Sequence, residues 1–187
     1  MICIIDCGTS YMPVFQQRLR ELGCQFKTIP LADVGKSDFS PFSGIIISGG
    51  PAMLSQVDRR EFLAPFQFVK ESGVPILGVC LGHQIIGLLH GSKISHGAQV
   101  KKMEAVEVSK DDALFAGVGT GSLFQESHFE HITLPDGFTL LAKSQSCANE
   151  AMKHRQKKIY GVQFHPEASG GIGTAVLRNF LGMCAKP

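Results

Sequence analysis

One cysteine, Cys80, stands in Gly78-Val79-Cys80-Leu81-Gly82, directly after the apolar run Pro75–Val79. A nucleophile flanked by glycines where a strand turns into a helix forms a tight elbow, because larger side chains would collide across the turn. At the helix N-terminus the backbone dipole favours an anion, so the sulfur is set up to attack as a thiolate. The ordinary alternative is a buried structural cysteine beside helix-packing glycines. The strand–turn–helix setting favours the nucleophile.

Two further segments supply what such a nucleophile needs. His165-Pro166-Glu167 follows the strand-like run Ile159–Phe164. A residue before proline is pushed toward extended geometry, and residues i and i+2 of an extended segment face the same side. Glu167 is thereby placed to orient an imidazole at His165 that takes and gives a proton. Ser48-Gly49-Gly50-Pro51 follows a third apolar run, Gly44–Ile47. Paired glycines let backbone N–H groups turn into a site, and a glycine peptide flips at low cost. An N–H of this loop, beside the Leu81 N–H, is a candidate donor to an oxyanion hole. Each segment alone is a common turn. Together they bring a nucleophile, a base, an orienting carboxylate and anion donors to the ends of three strands.

The elements that must position them alternate in the first half. Ile2–Asp6, Gln25–Ile29, Gly44–Ile47 and Pro75–Val79 read as strands. Residues 13–22, 58–71 and a stretch from Cys80 to about Leu89 read as helices. Continuous apolar strands between helices predict an α/β fold whose mostly parallel sheet is covered on both faces, with sites at the carboxyl ends of its strands. The second half adds strands at Val100–Val108, Ser122–Phe124, Phe138–Ala142, Ala148–Met152 and Ile159–Phe164, then an amphipathic helix Gly173–Cys184. No linker, repeat or low-complexity tract interrupts residues 1–187, which predicts one domain.

Composition narrows the class. The chain has 187 residues, 44% hydrophobic and 18% charged, with a formal net charge of +2, which excludes disorder and gives no reason to expect a nucleic-acid partner. Six scattered cysteines without a CxxC pair predict reduced thiols in a cytoplasmic protein. No apolar run is long enough to span a membrane. Cys3 with Cys7 lacks a second ligand pair, and His128 with His131 lacks a zinc-binding frame, so no metal and no cofactor are expected. His83 is expected to pack beside its helix, and His90 and His96 to lie in a loop.

In the order SGGP, GVCLGHQ, GVQFHPE, these motifs resemble the class I, triad-type glutamine amidotransferases, and the resemblance spans essentially the whole chain. It implies a flavodoxin-like α/β fold and hydrolysis of L-glutamine to glutamate and ammonia by Cys80, His165 and Glu167. It also implies an oxyanion hole at Gly50 and Leu81, and glutamine contacts at Gln84, Ser127, His128 and Phe129. Within the family the chain is most similar to the free-standing glutaminase subunits of two-chain GMP synthases. The stretches that carry this are Glu126-Ser127-His128, Leu141–Ser144 with Glu150–His154, and Ile159–Glu167. It departs from them at Gln125 and Glu130, where they usually carry Trp and Asp. No ATP-pyrophosphatase motif such as SGGxDS occurs in the sequence. The ammonia is therefore expected to pass to a separate synthetase chain of the ATP-pyrophosphatase type. The competing readings are a stand-alone γ-glutamyl hydrolase and a non-catalytic regulatory subunit.

Overall fold

Alternate residues along the short apolar strands face two different cores. In β1 (Ile2–Asp6), Ile2 and Ile4 pack with Ile46, Leu77, Tyr160 and Val162, while Cys3 and Ile5 pack with Ile45, Ile47, Ile76 and Ile159. A strand buried on both faces must be apolar throughout, which is why the polar–apolar alternation of a one-sided sheet is missing. The first face is covered by α1 (Met12–Glu21), through Phe15 and Leu19, and by α5 (Gly170–Cys184), through Val176, Leu177 and Phe180. The second is covered by α4 (Leu81–Leu89), through Ile85, Ile86 and Leu89, and by Phe66 and Val69.

The structure is a computed structural model and describes residues 1–184. Besides β1 the strands are β2 (Phe26–Pro30), β3 (Gly44–Ile47), β4 (Ile76–Val79), β5 (Ile94–Val108), β6 (Ser122–Ile132), β7 (Phe138–Lys143), β8 (Ala151–His154) and β9 (Ile159–Val162). They form one nine-stranded sheet in the order β2-β1-β3-β4-β9-β8-β7-β5-β6. The pairs from β2 through β9 are parallel, and those from β9 through β6 are antiparallel. The parallel half carries the Cys80 and His165 loops, while the antiparallel half curls one strand, β6, back toward them. Among the described residues no helix is long and apolar enough to cross a membrane.

Several predicted elements are redrawn. The helix expected over 58–71 is broken into α2 (Arg59–Leu63), a 3-10 turn at Ala64–Phe66 and α3 (Phe68–Glu71). Pro65 lacks the N–H that a continuous helix needs and crowds the preceding turn. Asp58 starts the segment, its carboxylate accepting from the Arg60 and Glu61 N–H groups at 2.9 and 3.1 Å. β6 runs to Ile132 instead of stopping at Phe124. Its buried phase holds Phe124, Glu126, His128, Glu130 and Ile132, so three polar residues in core positions conceal the alternation. β5 begins at Ile94, placing His96 in a strand instead of a loop, with an irregular register between His96 and Val100. β8 starts at Ala151 instead of Ala148, β9 ends at Val162 instead of Phe164, and α5 begins three residues before Gly173.

The elbow glycines are fixed by backbone contact. A Cβ on Gly78 would overlap the Gly82 carbonyl, and one on Gly82 would overlap the Ile47 carbonyl of β3. Gly82→Ala is therefore expected to destabilise the protein by about 1–3 kcal/mol, the usual cost of overpacking. Gly182→Ala, on an open stretch of α5, is expected to be neutral or stabilising. Thermal melts of the two variants check this, and an unchanged melting temperature for Gly82→Ala would contradict the account of the elbow.

Candidate active site

Cys80 caps α4 with φ 51° and ψ −103°, and it is the one non-glycine residue at positive φ among those described. Such a conformation costs of order 1–3 kcal/mol and persists only when its surroundings impose it. Here β4 enters through Gly78, α4 leaves through Gly82, and the Cys80 N–H donates to the Val162 carbonyl of β9 at 2.8 Å. No side chain caps the helix, so its first N–H groups, Leu81 included, are open to an anion beside the sulfur.

His165 is held from three directions. Its Nδ1 lies 2.7 Å from Glu167 Oε1. Its backbone N–H donates to the Gln125 carbonyl of β6 at 2.8 Å. The Ser169 hydroxyl donates to the His165 carbonyl at 2.6 Å and accepts from the Gln125 N–H at 2.9 Å. The Tyr11 ring lies 4.8 Å from the imidazole. Gly49 fits between nucleophile and base: a Cβ there would stand 2.9 Å from His165 Cε1 and 3.5 Å from Cys80 Cβ. Neither Gly49 nor Gly50 adopts positive φ. Burial works against a charged His165, but the Cys80 sulfur and the Glu167 carboxylate outweigh it and hold the imidazole well above its ordinary value.

A cavity of ≈ 340 Å³ opens at this point, at the carboxyl ends of β1, β3 and β4. Gly50, Cys80, Leu81, Gln84, Ser127, His128, Phe129 and His165 all line it, so eight of the nine residues singled out from the sequence meet there. Glu167, the ninth, is fully buried behind His165. Gln84 donates its Nε2 to the Glu130 carbonyl at 2.8 Å and to Gln163 Oε1 at 3.2 Å. The Ser127 carbonyl lies 3.8 Å from Cys80 Sγ. Phe129 is exposed and stacks on His96.

Three contributors escape a reading of the sequence. Gln163 Nε2 reaches Cys80 Sγ at 3.6 Å, and its position two before His165 in an extended segment is the available signal. The Glu130 carboxylate accepts the Leu54 and Ser55 N–H groups at 2.7 and 3.0 Å, anchoring the loop after β3 to β6. Nothing in the spacing of 54 and 130 announces that contact. Ser169 is the third. His83 is wholly buried, its pKa pushed down to about 3 by desolvation, so it is a neutral packing residue as expected.

Residues 3–184 match the family model described as glutamine amidotransferase class-I. The chain is 38% identical over 193 residues to a glutamine-hydrolyzing GMP synthase subunit of Pyrococcus abyssi, with 100% of both chains covered. A solved structure from Thermoplasma acidophilum, assigned as a GMP synthase subunit, superposes with a TM-score of 0.87 at 30% identity, covering 98% of this chain and 92% of the other. A glutamine amidotransferase from Thermotoga maritima shares the fold, with a TM-score of 0.83 at 17% identity over 99% and 98% of the two chains.

Two outcomes are expected from this geometry. Burial pushes the Cys3, Cys7 and Cys184 thiols up to about 12 and raises Cys24 and Cys147 as well, whereas Cys80 faces the cavity. Brief iodoacetamide treatment at neutral pH should therefore label Cys80 first, and peptide mapping that finds another cysteine ahead of it would contradict the assignment. For His165, a raised folded-state pKa means that protonation adds stability that is complete below about pH 6.5, the ordinary imidazole value, and lost as pH rises through the raised one. Glu167→Gln removes one support of that charge. It should move the imidazole titration, followed by NMR, to lower pH.

Proposed function

The chain belongs to the class I glutamine amidotransferases, and from that premise we propose that it hydrolyses L-glutamine as the glutaminase subunit of a two-chain GMP synthase. The observation that carries this reading is the His165–Glu167 pair set beside a positive-φ Cys80 at the floor of one cavity. The Pyrococcus abyssi relative, named as a glutamine-hydrolyzing GMP synthase subunit, matches along its full length.

In this reading the Cys80 thiolate attacks the side-chain carboxamide carbon of glutamine. The carbonyl π pair moves to oxygen, and the oxyanion is held by the Gly50 and Leu81 N–H groups. The His165 imidazolium gives its proton to the departing nitrogen, ammonia leaves, and a γ-glutamyl thioester remains on Cys80. Neutral His165 then takes a proton from water, whose oxygen attacks the thioester. Collapse of the second oxyanion expels the thiolate and releases glutamate. Glu167 keeps the imidazole oriented, with Nδ1 toward its own carboxylate and Nε2 toward sulfur.

The polar wall is assigned to the amino-acid end of the substrate. Gln84 makes both of its hydrogen bonds through the amide nitrogen, which leaves its Oε1 to accept from a substrate ammonium. Backbone groups at Ser127, His128 and Phe129 supply the other contacts. Ammonia passes to a separate ATP-pyrophosphatase-type chain, which aminates XMP. The face that docks it surrounds the cavity mouth, formed by the loops after β1, β3 and β9 and by the Gln125–Glu130 stretch of β6.

Cys80→Ala should abolish glutamine hydrolysis. His165→Ala should lower kcat by about 10²–10⁴-fold, the usual contribution of general acid–base catalysis, and Glu167→Gln by less. A glutamate-release assay measures all three, and a larger loss in Glu167→Gln than in His165→Ala would reverse the roles. Adding the ATP-pyrophosphatase chain of a GMP synthase should raise glutamine turnover. Turnover unaffected by that chain but raised by another synthetase would keep the glutaminase and discard the GMP synthase partner.

A further inference from the structure

Buried polar atoms in a folded protein are almost always hydrogen-bonded, and a cluster of exceptions needs a physical cause. Here the exceptions gather in one place. Eleven buried side-chain N and O atoms meet no hydrogen-bond partner among the described residues, and six belong to four neighbouring side chains. They are Glu104 Oε1, both oxygens of Glu126, Glu150 Oε2 and both ring nitrogens of His128. Glu104 comes from β5, Glu126 and His128 from β6, and Glu150 from the turn before β8. One carboxylate oxygen from each of the three glutamates lies within 4.8 Å of the other two. The His128 side chain is 3% exposed, and its Nε2 stands 3.3 Å from Glu126 Oε2.

The charge does not balance locally. Glu126 and Glu150 are fully buried and Glu104 nearly so. Lys102 Nζ lies 3.2 Å from Glu104 Oε1, but its side chain is half exposed and offsets at most one carboxylate. The outer oxygens are already oriented. Ser144 Oγ donates to Glu150 Oε1 at 2.6 Å, and Ser146 Oγ donates to Glu104 Oε2. Hydrogen bonds behind the inward-facing atoms are the arrangement that fixes metal ligands in place.

We propose that Glu104, Glu126 and Glu150 bind one divalent metal ion, of the Mn²⁺ kind, with the buried His128 imidazole beside Glu126. Three carboxylates form a hard oxygen donor set, suited to Mn²⁺ more than to the soft metals that select thiolates. The ion supplies the missing charge and a partner for one carboxylate oxygen of each glutamate. It joins β5, β6 and the segment before β8, and so braces β6, whose Ser127 carbonyl touches Cys80 Sγ and whose Gln125 carbonyl holds the His165 backbone. Its role is to support the site, with no step of glutamine hydrolysis passing through it. No spacing rule reveals these ligands in the sequence, because they come from three separate segments. The proposal does not depend on the chain being a glutaminase.

The test uses the full chain expressed with added Mn²⁺, dialysed free of loose metal, and assayed for metal content by mass spectrometry. The wild type should retain about one Mn²⁺ per chain and melt at higher temperature than after chelation. The double variant Glu126→Gln/Glu150→Gln should retain none and melt independently of Mn²⁺. Its amides imitate protonated carboxyls, so it should still fold. Cys80→Ala should bind as the wild type does, which separates this site from the catalytic one. A wild type with no Mn²⁺ and no melting shift would overturn the proposal and leave a carboxyl cluster that shares protons. Equal retention by the double variant would overturn it as well.

Discussion

The backbone contact among Ile47, Gly78 and Gly82 is the constraint on which the rest of the site depends. Two glycines without side chains let the end of β4, the start of α4 and the end of β3 approach more closely than any other residue allows. That approach forces Cys80 into its positive-φ conformation and aims its sulfur at the start of a helix. The strain is held by the apolar strands around it, whose residues are fully buried on both faces of the sheet. The loop after β3, which carries Gly49 and Gly50, starts from the same contact.

The second constraint joins the two halves of the sheet. The parallel half places nucleophile and base at neighbouring strand ends, but it does not hold the imidazole by itself. Gln125 of β6 binds the His165 backbone, and Ser169 bridges the two. Glu130, farther along β6, fastens the loop after β3 and supplies the carbonyl that Gln84 uses. One antiparallel strand therefore sets the positions of base, anion loop and substrate wall together. Gln125 and Glu130, the two positions singled out in the sequence as departures, both fall on this strand. At 125 the contact to His165 is a main-chain carbonyl, which does not depend on the side chain, whereas at 130 the side-chain carboxylate itself makes the contact.

Polar residues in core positions have different fates along this strand. Glu130 is satisfied by two backbone donors. Glu126 and His128 meet no hydrogen-bond partner, and Glu126 gathers with Glu104 and Glu150 into a buried carboxyl cluster. An unpaired buried charge is among the most costly features a fold can carry. A bound cation turns that cost into a cross-link between strands that are far apart in sequence.

The sequence by itself determined whatever depends on neighbours along the chain. The glycines around Cys80, the i and i+2 placement of His165 and Glu167, and the apolar strands are local patterns with local causes, and the parallel half of the fold follows from them. Residues read from the family resemblance also meet in the cavity, with Glu167 directly behind it. Tertiary structure decided what depends on partners across the sheet. The length of β6 is hidden because Glu126, His128 and Glu130 sit where apolar residues would mark a strand. The break at Pro65 is legible in the chain, but the helical spacing around it masks the signal. The clamp from Glu130 to Leu54 and Ser55, the Gln163–Cys80 contact and the three-glutamate cluster join positions separated by 22 to 83 residues in the chain. No periodicity carries such distances; they exist because strands remote in sequence are hydrogen-bonded neighbours in the sheet.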